Sequence, residues 1–175
     1  MRRLASLLVV VVAACGSSFQ TGPADLTGIT PAIMSAGAVS FTGADATGAT
    51  VLGWKLQFFS NGSGYDCLSN NANELADIDI YTNQQPNGNA RATLQGGADL
   101  NIDPTDPPTV AGTAVAHMAV DGIHQVNGDL TLTDVHINTS SNEIDRIGGM
   151  VNAAGTSDSG DTIEITGTFT APVCE

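Results

Sequence analysis

The chain has 175 residues, with 5 Lys and Arg against 18 Asp and Glu and a formal net charge of −13. That balance excludes the basic footprint of a nucleic-acid binder and recruitment to anionic lipid by charge. It fits either a soluble, self-repelling exposed domain or one that takes up cations such as calcium. Gly, Thr, Asn and Asp are frequent, and no long window repeats its apolar residues every 3.6 positions, so little helix is expected beyond a short N-terminal segment.

Arg2 and Arg3 precede the apolar run Leu4–Ala14, which ends on Cys15. A helix of that run would span about 16 Å, against a bilayer core of about 30 Å, so it is too short to cross a membrane. A charged start followed by a short apolar core is the pattern of a secretory signal. The stretch Val12-Ala13-Ala14-Cys15 resembles the lipobox of bacterial lipoproteins. The resemblance implies cleavage between Ala14 and Cys15, a diacylglyceryl group on the Cys15 sulfur and an acyl chain on its new amino group. Stable anchoring takes more than one lipid chain, each buried CH₂ contributing about 0.8 kcal/mol. Gly16 stands where an Asp would favour inner-membrane retention in that family, so the implied address is the outer membrane of the cell envelope. The alternative is an ordinary signal cut near Ala14 that leaves Cys15 a plain thiol. Cleavage would leave Lys55, Arg91 and Arg146 as the cations of the mature chain.

Three units are expected: a signal peptide and signal helix over 1–14, a lipidated flexible tether over 15–36 and an all-β domain over 37–175. The tether reading rests on the polar, Gly- and Ser-containing composition of 16–35. With Cys15 given to lipid, Cys67 and Cys174 form an even pair in an oxidising compartment, and a disulfide between them is expected. The alternative is two buried thiols.

From residue 37 short alternating runs lie between turn signals. Leu52, Trp54, Leu56 and Phe58 share one face of a strand, with Gly53, Lys55 and Gln57 on the other. The run 75–81 places Ile78 and Ile80 inward and Asp77 and Asp79 outward. Residues 90–95 and 98–102 are candidate strands, and 103–108, with three prolines, is a surface loop. Residues 109–120 and 129–137 form an expected hairpin whose tip region holds Asp121-Gly122 and Asn127-Gly128. A weaker strand follows over 143–153, and 162–173 closes the chain. About seven to ten short strands without crossover helices imply an antiparallel β-sandwich or barrel. The closing strand ends on Cys174, and Cys67 follows the strand centred on Trp54. In this the chain resembles β-sandwich lipoproteins of environmental Gram-negative bacteria, a likeness that implies no activity and no site residue.

Candidate chemistry is sparse. His117, His124 and His136 are possible metal ligands, but their proximity depends on the hairpin register. With Val120 opposite Asp129, His117 and His136 are far apart. With Val126 opposite Asp129, His117 faces Asn138 and lies diagonal to His136. Asp77 with Asp79, Asp103 with Asp106, and Asp158 with Asp161 and Glu164 are local oxygen sets that a structural calcium would use, although none spells an EF-hand loop. No nucleophile elbow, Ser-x-x-Lys or His-Glu-x-x-His occurs. The eight aromatic residues are few for a sugar-cleaving cleft. The sequons at Asn61 and Asn138 are chance matches behind a bacterial signal.

The expected function is therefore a membrane-anchored, non-enzymatic lipoprotein with a binding, adhesion or envelope-structural role, and no required cofactor. The alternatives are a calcium- or carbohydrate-binding surface module and, third, an undetected hydrolase. Expected partners are the membrane, through lipid, and a protein or glycan ligand.

Overall fold

The computed structural model describes residues 21–44, 50–61, 65, 67, 71, 73–82, 91–94 and 114–174. The signal segment, Ala14 and Cys15, the expected strand 98–102 and the proline loop lie outside them. The described residues form nine strands: β1 (Gly22–Thr27), β2 (Ile33–Ala44), β3 (Thr50–Phe59), β4 (Ala76–Thr82), β5 (Arg91–Leu94), β6 (Ala114–Val120), β7 (Ile123–Asn138), β8 (Glu143–Ser157) and β9 (Thr162–Cys174). They close into one barrel in the order β1-β2-β3-β4-β6-β5-β7-β8-β9, antiparallel except where β5 meets β6 and β2 meets β9. Of the two architectures the alternating runs allowed, the chain takes the barrel.

Alternation builds the core. Leu56 and Phe58 of β3, Ile78 and Ile80 of β4, Met118 of β6, Leu130 and Leu132 of β7, Ile147 of β8 and Ile165 of β9 are fully buried. Each contributes about 1.5–3 kcal/mol on leaving water. The rings of Phe58 and Phe169 meet edge to face, 5.4 Å between centroids. Ala36, Ala38, Ala116 and Ala171, also fully buried, supply the small positions between the large ones. A barrel of about eight strands is just wide enough to be filled by its own side chains. The outward positions are polar: Asp25, Asp129, Asn152, Glu164, Thr166 and Thr168 are exposed, and the large exposed apolar residues among the described ones are Met34 and Met150. A membrane-spanning barrel has the opposite pattern, an apolar band facing lipid.

The segment expected as tether is corrected from Gly22 onward. β1 pairs with both β2 and β9, from Gly22 opposite Ala36 to Thr27 opposite Thr166. It reads as polar because Leu26 is its single large buried residue, and Pro23 lies where its pairing with β2 shifts register. Neither expected hairpin register forms. Asp121-Gly122 makes the tight turn, with Val120 opposite Ile123 and Gly122 at φ 69°. Asn127-Gly128 lies inside β7, opposite Ala154 and Ala153. β8 runs to Ser157, past the expected end at 153, because residues 154–157 pair with Ile123, His124 and Asn127 of β7 and with Thr162, Ile163 and Glu164 of β9.

Candidate functional site

Two places on the barrel gather chemistry. The first is the outer face of β3, β4 and β6. Pairing sets Lys55 opposite Asp79, and Asp79 opposite His117, in one row across three strands. Two register steps along, Gln57 faces Asp77. The Lys55 ammonium donates to Asp77 and lies 3.5 Å from Glu74. Gln57, fully buried, donates to Glu74 and accepts from the Asn71 amide at 3.1 Å.

The environment shifts these groups for different reasons. Burial pushes Asp79 up to about 6, with Lys55 opposing and Asp77 reinforcing the shift. Burial also raises Glu74, against the Gln57 hydrogen bond and the Lys55 charge. For Lys55, burial opposes the charge, but the Asp77 bond and the surrounding carboxylates outweigh it, so its pKa is raised. Burial lowers His117, with Asp77 pulling up and Lys55 pushing down. His117 is 7% exposed, and its Nε2 has no hydrogen-bond partner. The row thus holds a neutral-prone imidazole and a protonatable carboxyl on adjacent strands.

The second place is a notch in the barrel wall. β9 pairs with β8 up to Pro172 opposite Arg146, then leaves it and meets β2 in parallel at Val173 and Cys174. Pro172 has no N–H to continue a ladder. Beyond Cys174, β2 runs on through Ser40–Ala44 with β3 as its pairing partner on one side. Across the gap stand Glu143 and Ile144, paired to β7 alone. A cavity of about 310 Å³ fills the gap, lined by Ser40, Thr42, Leu52, Trp54, Glu143 and Ile144 among others.

Beside the notch, Cys67 and Cys174 are joined in a disulfide with 5.6 Å between Cα atoms. Tyr65 packs with Phe59 over this bond and donates its hydroxyl to the Ala38 carbonyl at 3.0 Å. Its ring lies so close to β2 that a Cβ at Gly37 would come within 2.4 Å of it.

The expected calcium residues are dispersed. Asp77 is engaged by Lys55 and stands two positions from Asp79. Asp158 lies 2.7 Å from His124, and Asp161 accepts from Ser159 at 2.7 Å. Asp103 and Asp106 lie outside the described residues. His136 lies 2.5 Å from Asp145, on a different part of the barrel from His117. Among the described residues no three His, Cys, Asp or Glu side chains converge to hold a metal ion.

Sequence reasoning assigned Asp79 outward but missed its neighbours Lys55 and His117. Alternation gives each residue its face; the pairing of β4 with β6 across residues 83–113 carries no local signal. The notch was missed as well. Its one sequence trace is Pro172, two residues before the end of β9.

Comparison with protein-family models, with curated proteins and with solved structures finds no match for this chain.

Proposed function

We propose that the chain is a lipoprotein anchored to the outer membrane through acyl chains on Cys15, whose acidic barrel binds protein or glycan on its outer surface without catalysing a reaction. The observation that carries this reading is the cysteine pairing. Of three cysteines, Cys67 and Cys174 are bonded to each other. Cys15 is the one left for acylation, in the compartment where such a bond persists. The polar residues of the described exterior support binding on the outer surface. The polar exterior also favours attachment by lipid over burial of the barrel in a bilayer.

Replacing Cys15 by Ala tests the anchor. The variant should escape signal cleavage at Ala14, lack the mass of its acyl groups and leave no mature-size protein in the washed membrane fraction. A Cys15→Ala protein that still sediments with membranes at mature size would show the reading to be wrong.

A further inference from the structure

We infer that the notch between β2 and β8 is a strand-addition site for a short extended peptide of net basic charge, with an apolar side chain inserted beside Trp54. The inference rests on the binding part of the proposed function and is independent of the anchor. At this level of the barrel β9 separates β8 from β2, and it ends at Cys174. Among the described residues one strand position of the wall is then open, flanked by Ser40–Ala44 on one side and Glu143–Ile144 on the other. Among the described residues neither run has a strand partner facing the gap. A strand flank presents N–H and C=O groups in alternation, and a guest that satisfies both flanks must carry the same alternation. A peptide does this, as in other cases where a segment adds a strand to a sheet edge.

The lining specifies the side chains. Leu52, Trp54 and Ile144 form an apolar wall, Ser40 and Thr42 are exposed beside it, and the volume of about 310 Å³ is at the small end for ligand sites. It suits one or two apolar side chains on the inward face of the guest. The outward rim bears exposed Glu143, on a chain of net charge −13. Complementarity therefore favours Lys or Arg on the outward face of the guest.

Trp54 is the single tryptophan and lines the cavity, so its fluorescence reports occupancy directly. The probe is the acetylated, amidated pentapeptide Lys-Leu-Thr-Leu-Lys, titrated into the full protein purified as the cell processes it. The expected result is a saturable change in Trp54 emission, with slowed amide exchange confined to Ser40–Ala44 and Glu143–Ile144. The same peptide with N-methylated leucines keeps its side chains but loses the ladder donors of one edge, and should bind about tenfold more weakly or worse. Glu143→Lys, a change at an exposed position, should weaken the basic peptide by several fold and favour a Glu-Leu-Thr-Leu-Glu analogue. Equal binding of the N-methylated peptide would overturn the inference. So would the absence of any response at millimolar peptide, or a response to a neutral oligosaccharide such as cellotriose in place of peptide. None of these results touches the Cys15 test, which reads membrane association alone.

Discussion

Asp79 and His117 face each other across β4 and β6, and burial moves them in opposite senses. Asp79 rises from 3.8 to about 6 on folding. An acid raised in this way contributes its stabilisation fully below pH 3.8 and loses it as pH climbs through about 6, so at neutral pH its charge is a cost. His117 is lowered from 6.5, so its contribution is present above that value and fades on acidification. Asp79→Asn keeps the shape and removes the charge. It should stabilise the protein at pH 7 by on the order of 3 kcal/mol, and by little near pH 4. In the variant, only the His117 effect would remain at this pair, and stability should fall on acidification below pH 6.5. Urea midpoints of the two proteins across pH 4–8 measure both effects. A destabilised Asp79→Asn at neutral pH would mean that the carboxylate has a partner that outweighs its burial.

At the scale of elements, legibility followed side-chain size. β3 and β4 carry large apolar residues at every second position, and their spans were readable within a few residues. β1 offers one, Leu26, and was taken for tether, because a strand covered by β9 on one side and β2 on the other needs little apolar bulk of its own. β7 hides its period behind register shifts after His124, Leu132 and His136. The turn at Asp121-Gly122 and the pair Asn127-Gly128 carry equivalent local signals, and tertiary pairing decides between them. The candidate sites were less legible still, since both arise between strands distant in sequence. The pairing of β1 with β9 leaves no room for a Cβ at Gly22, Gly28 or Gly167. Gly167 lies opposite Leu26 with φ 153°, and a Cβ there would be 1.8 Å from the Asp25 carbonyl oxygen. Gly167→Ala should therefore cost about 2–4 kcal/mol, from backbone strain together with displacement of β1. Thermal unfolding beside an exposed Thr168→Ala control on the same strand checks it. Equal midpoints for the two variants would mean that β1 does not lie this close to β9.

At the scale of the whole molecule, the barrel closes through β1, which pairs with both β9 and β2, and through a short direct seam beyond it. β2 and β9 meet directly at two register pairs, Ala38 with Val173 and Val39 with Cys174. Alternation alone could not separate sandwich from barrel, because closure is decided by pairing between the first strands and the last, β1 and β2 with β9. The disulfide is placed at the seam itself: Cys174 is both a seam residue and the partner of Cys67, which lies 107 positions earlier. A bond closing a loop of that length restricts the unfolded chain, an effect worth about 3–5 kcal/mol in the chain-entropy account. It also holds Tyr65 and Phe59 against the outside of β2, where the Tyr65 hydroxyl meets the Ala38 carbonyl. The Cys67→Ser, Cys174→Ser double variant should therefore unfold at lower denaturant, with a loss of about 3–5 kcal/mol. Its amide exchange should accelerate first at Ala38 and Val39, before that of β7 and β8, whose ladder is longer. The two effects are separable: the entropy of the unfolded chain lowers global stability, whereas loss of the staple opens the seam locally. A double variant with unchanged midpoint and unchanged exchange at Ala38 and Val39 would show that β1, bridging β2 and β9 along the rest of their length, closes the barrel without help from the bond.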